Sequence, residues 1–253
     1  MGDWAAQFAS GIRFEWGATG AARLAPAASC LVVVDVLSFS TTVSVAVQMG
    51  TQVFPFRYGD EAATAYAAER SAELAVGRRA VTPASPWSLS PAHLRKAPFV
   101  SRLVLPSPNG AAIAASAPPG LPVVAACLRN ITAVGGWLTA HGYGTRERPI
   151  VVIAAGERWP DGSLRPALED LLGAGSLISD LHAQGAGPLS AEAAAARACG
   201  ECTADVPQAI ATSASGRELA TSGFAEDVAI ATEEDACTVV PVLNGDGGFT
   251  AAR

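Results

Sequence analysis

The sequence predicts an α/β fold, a mainly parallel sheet with flanking helices, as a single domain over residues 1–253. Two observations predict it. An apolar strand, a polar loop and a helix-like segment follow one another four times, in residues 30–50, 102–116, 122–138 and 151–178, and strands alternating with helices favour a parallel sheet. The strand-length runs LVVVDVL (31–37) and VVIA (151–154) are apolar at almost every position, as strands covered on both faces are.

Taken in order, RFEWGATG (13–20) reads as an edge strand ending in a turn. The run 31–37 is a central strand, followed by a helix over 41–49. TQVFPF (51–56) is strand-like, with Pro55 marking an edge or a strand end. DEAATAYAAERSAELAV (60–76) opens with acids and carries Glu69 and Glu73 on a polar side, which predicts a helix. Residues 77–100 lose periodicity in a Pro/Ser-rich excursion, TPASPWSLSPAHLRKAP. Such a stretch is either a lid over a site, with Ser88, Ser90 and His93 able to meet a ligand, or an ordinary surface connector. Strand 151–154 leads to a loop (156–163) bearing Glu157, Arg158 and Asp161. A small-residue helix (168–178) then carries Glu169 and Asp170 in its first turns, with Pro166 suited to a helix start. An alanine-rich helix (190–200), two short helices within 216–233 split at Gly223, and a last strand over 237–243 complete the pattern.

Composition excludes several classes. A formal net charge of −6 with no basic run argues against nucleic acid, and no apolar run reaches the roughly 20 residues of a membrane span. No basic segment followed by an apolar one opens the chain, which predicts a cytoplasmic protein. Of the five cysteines, Cys30, Cys127 and Cys237 read as reduced core residues, and Cys199-Gly-Glu-Cys202 lacks the second pair or histidine that a zinc site needs. Sixteen arginines accompany one lysine, Lys96, so there is no phosphate-binding G-x-x-x-x-G-K-[ST] string. No cysteine stands six residues before an arginine, no aspartate lies two residues after Asp35, and no G-x-S-x-G elbow occurs. His93, His141 and His182 lie outside the strand-end loops, which leaves a Ser-His-Asp mechanism without a candidate.

In an open parallel sheet, ligands bind beyond the strand C-termini. That edge would gather Asp35, Ser38, Ser107, Asn109, Asn130, Glu157 and Asp161. Asp35 stands in an apolar run, where an ionised carboxylate needs a cation or several donors. It is either a metal ligand or a structural acceptor that caps the next helix. Hard Mg²⁺ suits Asp and Glu oxygens together with a substrate phosphate. Loops 38–42 and 107–110 lead into helices whose N-termini favour an anion.

Four ordered segments, DVLSFSTT (35–42), SPNG (107–110), AAGERWPDGSLRPALEDLLGAG (154–175) and SGRELATSGFAEDV (215–228), resemble the 2-phosphosulfolactate phosphatase family over nearly the whole chain. The resemblance implies that family's α/β fold and a Mg²⁺-dependent phosphatase. It would convert (2R)-O-phospho-3-sulfolactate to sulfolactate and phosphate, a step toward coenzyme M. Asp35 with Glu169 or Asp170 would hold the metal. Thr41, Ser107, Asn109 and the Gly110 N–H would cradle phosphate, with Ser38, Thr42, Asn130, Arg158 and Arg165 as further substrate contacts. Glu157 or Asp161 would orient the attacking water, making Asp35, Glu157, Asp161 and Glu169 the catalytic carboxylates.

The chain departs from the family where Asp-Val-Leu-Arg becomes Asp35-Val-Leu-Ser38, and Arg158 or Arg165 is expected to restore that charge. The partner expected is a small phosphorylated metabolite, and a homo-oligomer is compatible with this reading. Two alternatives are a non-catalytic phosphometabolite-binding protein and a nucleotide-binding α/β domain. The second is weakened because GDGG (245–248) opens no helix.

Overall fold

The computed structural model describes residues 4–57 and 61–252. Chain order runs β1 (Ile12–Trp16), α1 (Gly17–Leu24), β2 (Cys30–Val34), α2 (Phe39–Gln48), β3 (Gln52–Phe56), α3 (Glu61–Glu69), β4 (Glu73–Leu74), α4 (Pro91–Lys96), β5 (Arg102–Pro106), α5 (Gly110–Ala115), β6 (Val123–Ala126), α6 (Ile131–Ala140) and β7 (Ile150–Ala154). A small hairpin, β8 (Glu157–Arg158) and β9 (Leu164–Arg165), precedes α7 (Leu168–Ala183). Then come α8 (Ala191–Cys202), α9 (Val206–Ala211), α10 (Ala214–Leu219), α11 (Ala225–Ala231), β10 (Pro241–Leu243) and β11 (Phe249–Ala251).

Nine strands form one sheet in the order β1-β7-β2-β6-β10-β11-β3-β5-β4. Two parallel blocks, β1-β7-β2-β6 and β3-β5-β4, are joined only through β10 and β11, which pair antiparallel with each other and with their neighbours β6 and β3. The α/β class and the mainly parallel sheet are as the sequence predicts.

The apolar runs divide their side chains between two cores, because successive residues of a strand face opposite sides. Val32 and Val34 pack with Val152, Val134, Leu172, Leu177 and Leu181 under α6, α7 and α8. Leu31 and Val33 pack with Val151, Leu24, Val43 and Ile113 under α1, α2 and α5. Every residue of α2 from Phe39 to Val47 is buried, since the helix packs against strands of both blocks, β6, β10, β11 and β3. The residues following β5 and β2 meet, Gly110 N donating to Asp35 Oδ2.

Several expectations are corrected. β2 ends at Val34, so Asp35 follows the strand rather than standing inside it. Of the helix expected over 60–76, Asp60 lies outside the described residues, and the described helix, α3, runs from Glu61 only to Glu69. Residues 73–74 instead pair with β5, where Leu74 packs against the cluster of Phe54 and Val104, and burial there outweighs helix propensity. The excursion contains α4, whose first turn is capped by Ser90 accepting from the His93 N–H. Ser88 Oγ lies 2.9 Å from His93 Nδ1, and Ser90 Oγ also donates to Asp227 Oδ1, so the polar groups of these three residues are engaged within the protein. Within 156–163 the expected loop is largely the β8–β9 hairpin. The last strand is confined to Pro241–Leu243, and GDGG is the turn joining it to β11, closed by Gly248 N donating to Asn244 Oδ1 at 3.1 Å. The split at Gly223 is present, with φ of +93° between α10 and α11. Among the described residues no helix is long and apolar enough to cross a membrane.

Candidate active site

The loops after β2, β5 and β7 meet at two buried aspartates. Asp35 Oδ1 accepts the Phe39 N–H at the start of α2 (3.0 Å), and Oδ2 accepts the Gly110 N–H at the start of α5 (2.8 Å). One carboxylate therefore caps two helices, where their positive ends favour a negative charge. Asp170 works the same way from the first turn of α7. Its Oδ1 accepts the Val36 N–H (2.7 Å) and its Oδ2 the Gly156 N–H (2.8 Å), tying the β2 and β7 loops together. Gly156 holds φ at +68°, a left-handed conformation that costs glycine nothing.

Two glutamates complete the cluster. Glu169 is buried and accepts from Ser213 Oγ at 3.1 Å. Glu157, half-buried at the hairpin base, accepts from Asn109 Nδ2 at 2.9 Å. Burial pushes the Asp35 carboxyl up to about 6, against the pull of its two N–H donors, with Glu169 repelling it further and Arg78 partly offsetting. Glu157 is pushed up to about 7 by burial, then by Asp35. Asp170 rises well above the usual carboxylate range through burial and repulsion from Asp35 and Glu169. Asp35 and Glu169 are the two charges that both other carboxyls feel, so they are the electrostatic centre.

Such a set of hard, desolvated and mutually repelling oxygens fits a divalent cation in kind. Among the described residues no three His, Cys, Asp or Glu side chains already form a metal-holding group.

Beside the carboxylates lies a cleft of about 500 Å³ lined by Leu37, Arg78, Arg79, Glu157, Arg158 and Arg165, with residues of α10 and the turn after it. Arg165 Nη2 donates to Ser215 Oγ (3.3 Å), and Arg158 donates to the carbonyls of Gly162 and Pro108, each at 3.2 Å. Ser38 is buried, and its Oγ accepts from Arg78 Nη2 at 2.7 Å. The charge expected there from the hairpin arginines is thus supplied to Ser38 by Arg78, from the excursion.

Other predicted contacts are spent internally. Thr41 Oγ1 donates to the Val36 carbonyl (2.8 Å) and Thr42 Oγ1 to the Leu89 carbonyl (2.9 Å). Asn130 is wholly buried, its amide bridging Cys127 N and the Ala125 carbonyl before α6. Ser107 Oγ accepts the Asn109 N–H and shapes its own turn. Asp161 sits exposed at the hairpin turn, where Ser163 binds its carboxylate and holds its pKa low. Each is a hydroxyl, amide or carboxylate satisfied locally, as most buried polar groups are. Cys199 and Cys202 are exposed on α8, and Cys30, Cys127 and Cys237 are buried free thiols.

Sequence reasoning missed Arg78 and Asp227, which pair through Nε and Oδ2 at 3.0 Å. Asp227 lies in the quoted segment 215–228, but nothing in the excursion singles out Arg78.

A family model described as 2-phosphosulpholactate phosphatase matches residues 21–246. No curated protein matches the chain.

Proposed function

Because the chain belongs to the 2-phosphosulpholactate phosphatase family, we propose that it is a Mg²⁺-dependent phosphatase acting on a small phosphorylated hydroxy acid, with 2-phosphosulfolactate as its substrate. The observation that carries this reading is a cluster of four interacting carboxyls within the matched span, three buried and the fourth, Glu157, lining an arginine-rich cleft.

Asp35 and Glu169 would hold Mg²⁺, which when bound would polarise the phosphoryl oxygens. Asp170 keeps the strand-end loops in register through its two N–H contacts. Arg158 and Arg165 bind phosphate oxygens with planar guanidinium forks suited to such groups. Glu157, held by Asn109, orients the attacking water and accepts its proton as the water oxygen bonds to phosphorus. The ester P–O bond then breaks with its electron pair going to the hydroxy acid oxygen, which takes up the proton that Glu157 accepted.

Phosphate release from 2-phosphosulfolactate and from a panel of hydroxy acid phosphates, with Mg²⁺ and with chelator, tests the proposal. Asp35→Asn is expected to fold, to keep accepting both N–H groups through its one carbonyl oxygen only in part, and to lose metal-dependent turnover. Near-full activity of that variant with unchanged Mg²⁺ dependence would remove Asp35 from the metal.

A further inference from the structure

We propose that Arg78, aimed by the buried carboxylate of Asp227, reads the anionic group of the substrate that is not transferred, the sulfonate or carboxylate left on the carbon skeleton. This rests on the phosphatase reading above and names the residue that sets its substrate class.

Arg78 is held on three sides. Its Nε donates to Asp227 Oδ2 (3.0 Å), its Nη2 donates to Ser38 Oγ (2.7 Å) and the Leu89 carbonyl (3.3 Å), and its guanidinium carbon lies 5.7 Å from the centre of the Phe224 ring. Among the described residues Nη1 has no such partner. The side chain remains 18% exposed at the cleft, whereas Asp227 is only 1% exposed. Asp227 is fully engaged, its Oδ1 accepting from Ser90 Oγ and from the Ala92 N–H. A buried carboxylate thus fixes both the excursion and the direction of one arginine, which is the support a recognition residue needs.

Charge supports a second anion. Four arginines and two glutamates line this cleft, in a chain whose net charge is −6. Arg158 and Arg165 come from the hairpin beside Glu157, where phosphate is handled. Arg78 and Arg79 enter separately from the excursion, leaving cationic capacity beyond what one phosphate group uses. Arg78 suits that role because its permanently charged guanidinium, with Nε and Nη2 held by the protein, keeps the two Nη1 N–H groups for sulfonate or carboxylate oxygens. Asp227 touches no substrate in this scheme and is a positioning residue.

The test measures binding separately from turnover. Calorimetry on the Mg²⁺-loaded full chain uses sulfolactate, which carries the tail without phosphate, and inorganic phosphate alone. Kinetics compare 2-phosphosulfolactate with isopropyl phosphate, whose tail is neutral. Arg78→Ala is expected to weaken sulfolactate about tenfold or more, as the loss of a charge-assisted hydrogen bond does, and to leave phosphate affinity within about twofold. KM for phosphosulfolactate should rise correspondingly, and by a larger factor than KM for isopropyl phosphate. Arg78→Lys should recover part of the affinity, and Asp227→Asn should shift the same two quantities in the same direction by a smaller factor. Unchanged sulfolactate affinity in Arg78→Ala, or an equal loss for phosphate, overturns the proposal. If Asp227→Asn unfolds by circular dichroism, the Arg78 variants decide alone. Arg78-dependent sulfolactate binding by a wild-type protein that hydrolyses no ester would sink the phosphatase reading and leave the anion site standing.

Discussion

At Gly110 the absence of a side chain is what lets two helices share one carboxylate. A Cβ there would stand 2.6 Å from Asp35 Oδ2 and 2.6 Å from Phe39 Cδ1, closer than real Cβ contacts allow. Gly110→Ala must push Asp35 or α5 aside, at about 1–3 kcal/mol for overpacking of this kind. Its larger effect falls on the site, because the Asp35 carboxylate is displaced from the charges around it. Urea unfolding together with phosphate release should show activity falling by more than the stability loss accounts for. Wild-type turnover in Gly110→Ala would mean that Asp35 needs no fixed position. Asp35 itself is legible in the sequence, since a carboxylate at the end of a valine run demands compensation. Thr41 and Thr42 are misread for a related reason: hydroxyls at a helix start suggest an anion cradle, but in a helix buried on every side they must bond to carbonyls of the protein.

At the level of elements, α7 and α8 cross where glycine meets small residues. A Cβ on Gly175 would collide with the Ala196 carbonyl, and one on Gly200 would lie 2.9 Å from the Gly175 backbone. Gly175→Ala should therefore destabilise the protein by about 1–3 kcal/mol. Gly136, in α6, has open space around its missing Cβ, and there the same substitution should stabilise by about 0.4–1 kcal/mol by restricting the unfolded chain. Paired denaturation curves check both signs at once. The long elements are readable because their periodicity is: four apolar runs become β2, β5, β6 and β7, each leading toward a helix. Two- and three-residue strands such as β4, β8, β9 and β11 carry no such signal. The Arg78–Asp227 pair joins positions 149 residues apart, and only the packing of the excursion on α11 brings them together.

For the molecule as a whole, a divalent cation held by the carboxylate cluster as proposed would link binding to folding. Three carboxyls are held above their ordinary range by burial and mutual repulsion, so a divalent ion that binds only the folded state should stabilise it. At a Mg²⁺ concentration 100 times its Kd the gain is about 2.7 kcal/mol, or roughly 5–11 °C in Tm for a chain of this size. Thermal melts in chelator, in Mg²⁺ and in NaCl of matched ionic strength separate binding from screening. An equal rise in NaCl would show that screening alone accounts for the effect.

The antiparallel pair β10 and β11, which alone joins the two parallel blocks, follows every other strand of the sheet in chain order. In chain order the block β3-β5-β4 is inserted between β2 and β6 of the other block, so without β10 and β11 the strands β6 and β3 would each present a bare flank, and unpaired edges of that kind recruit strands from other chains. A chain without β10 and β11 would hold two half-sheets with complementary bare edges, so the segment from Pro241 to Ala251 acts as the clasp between them.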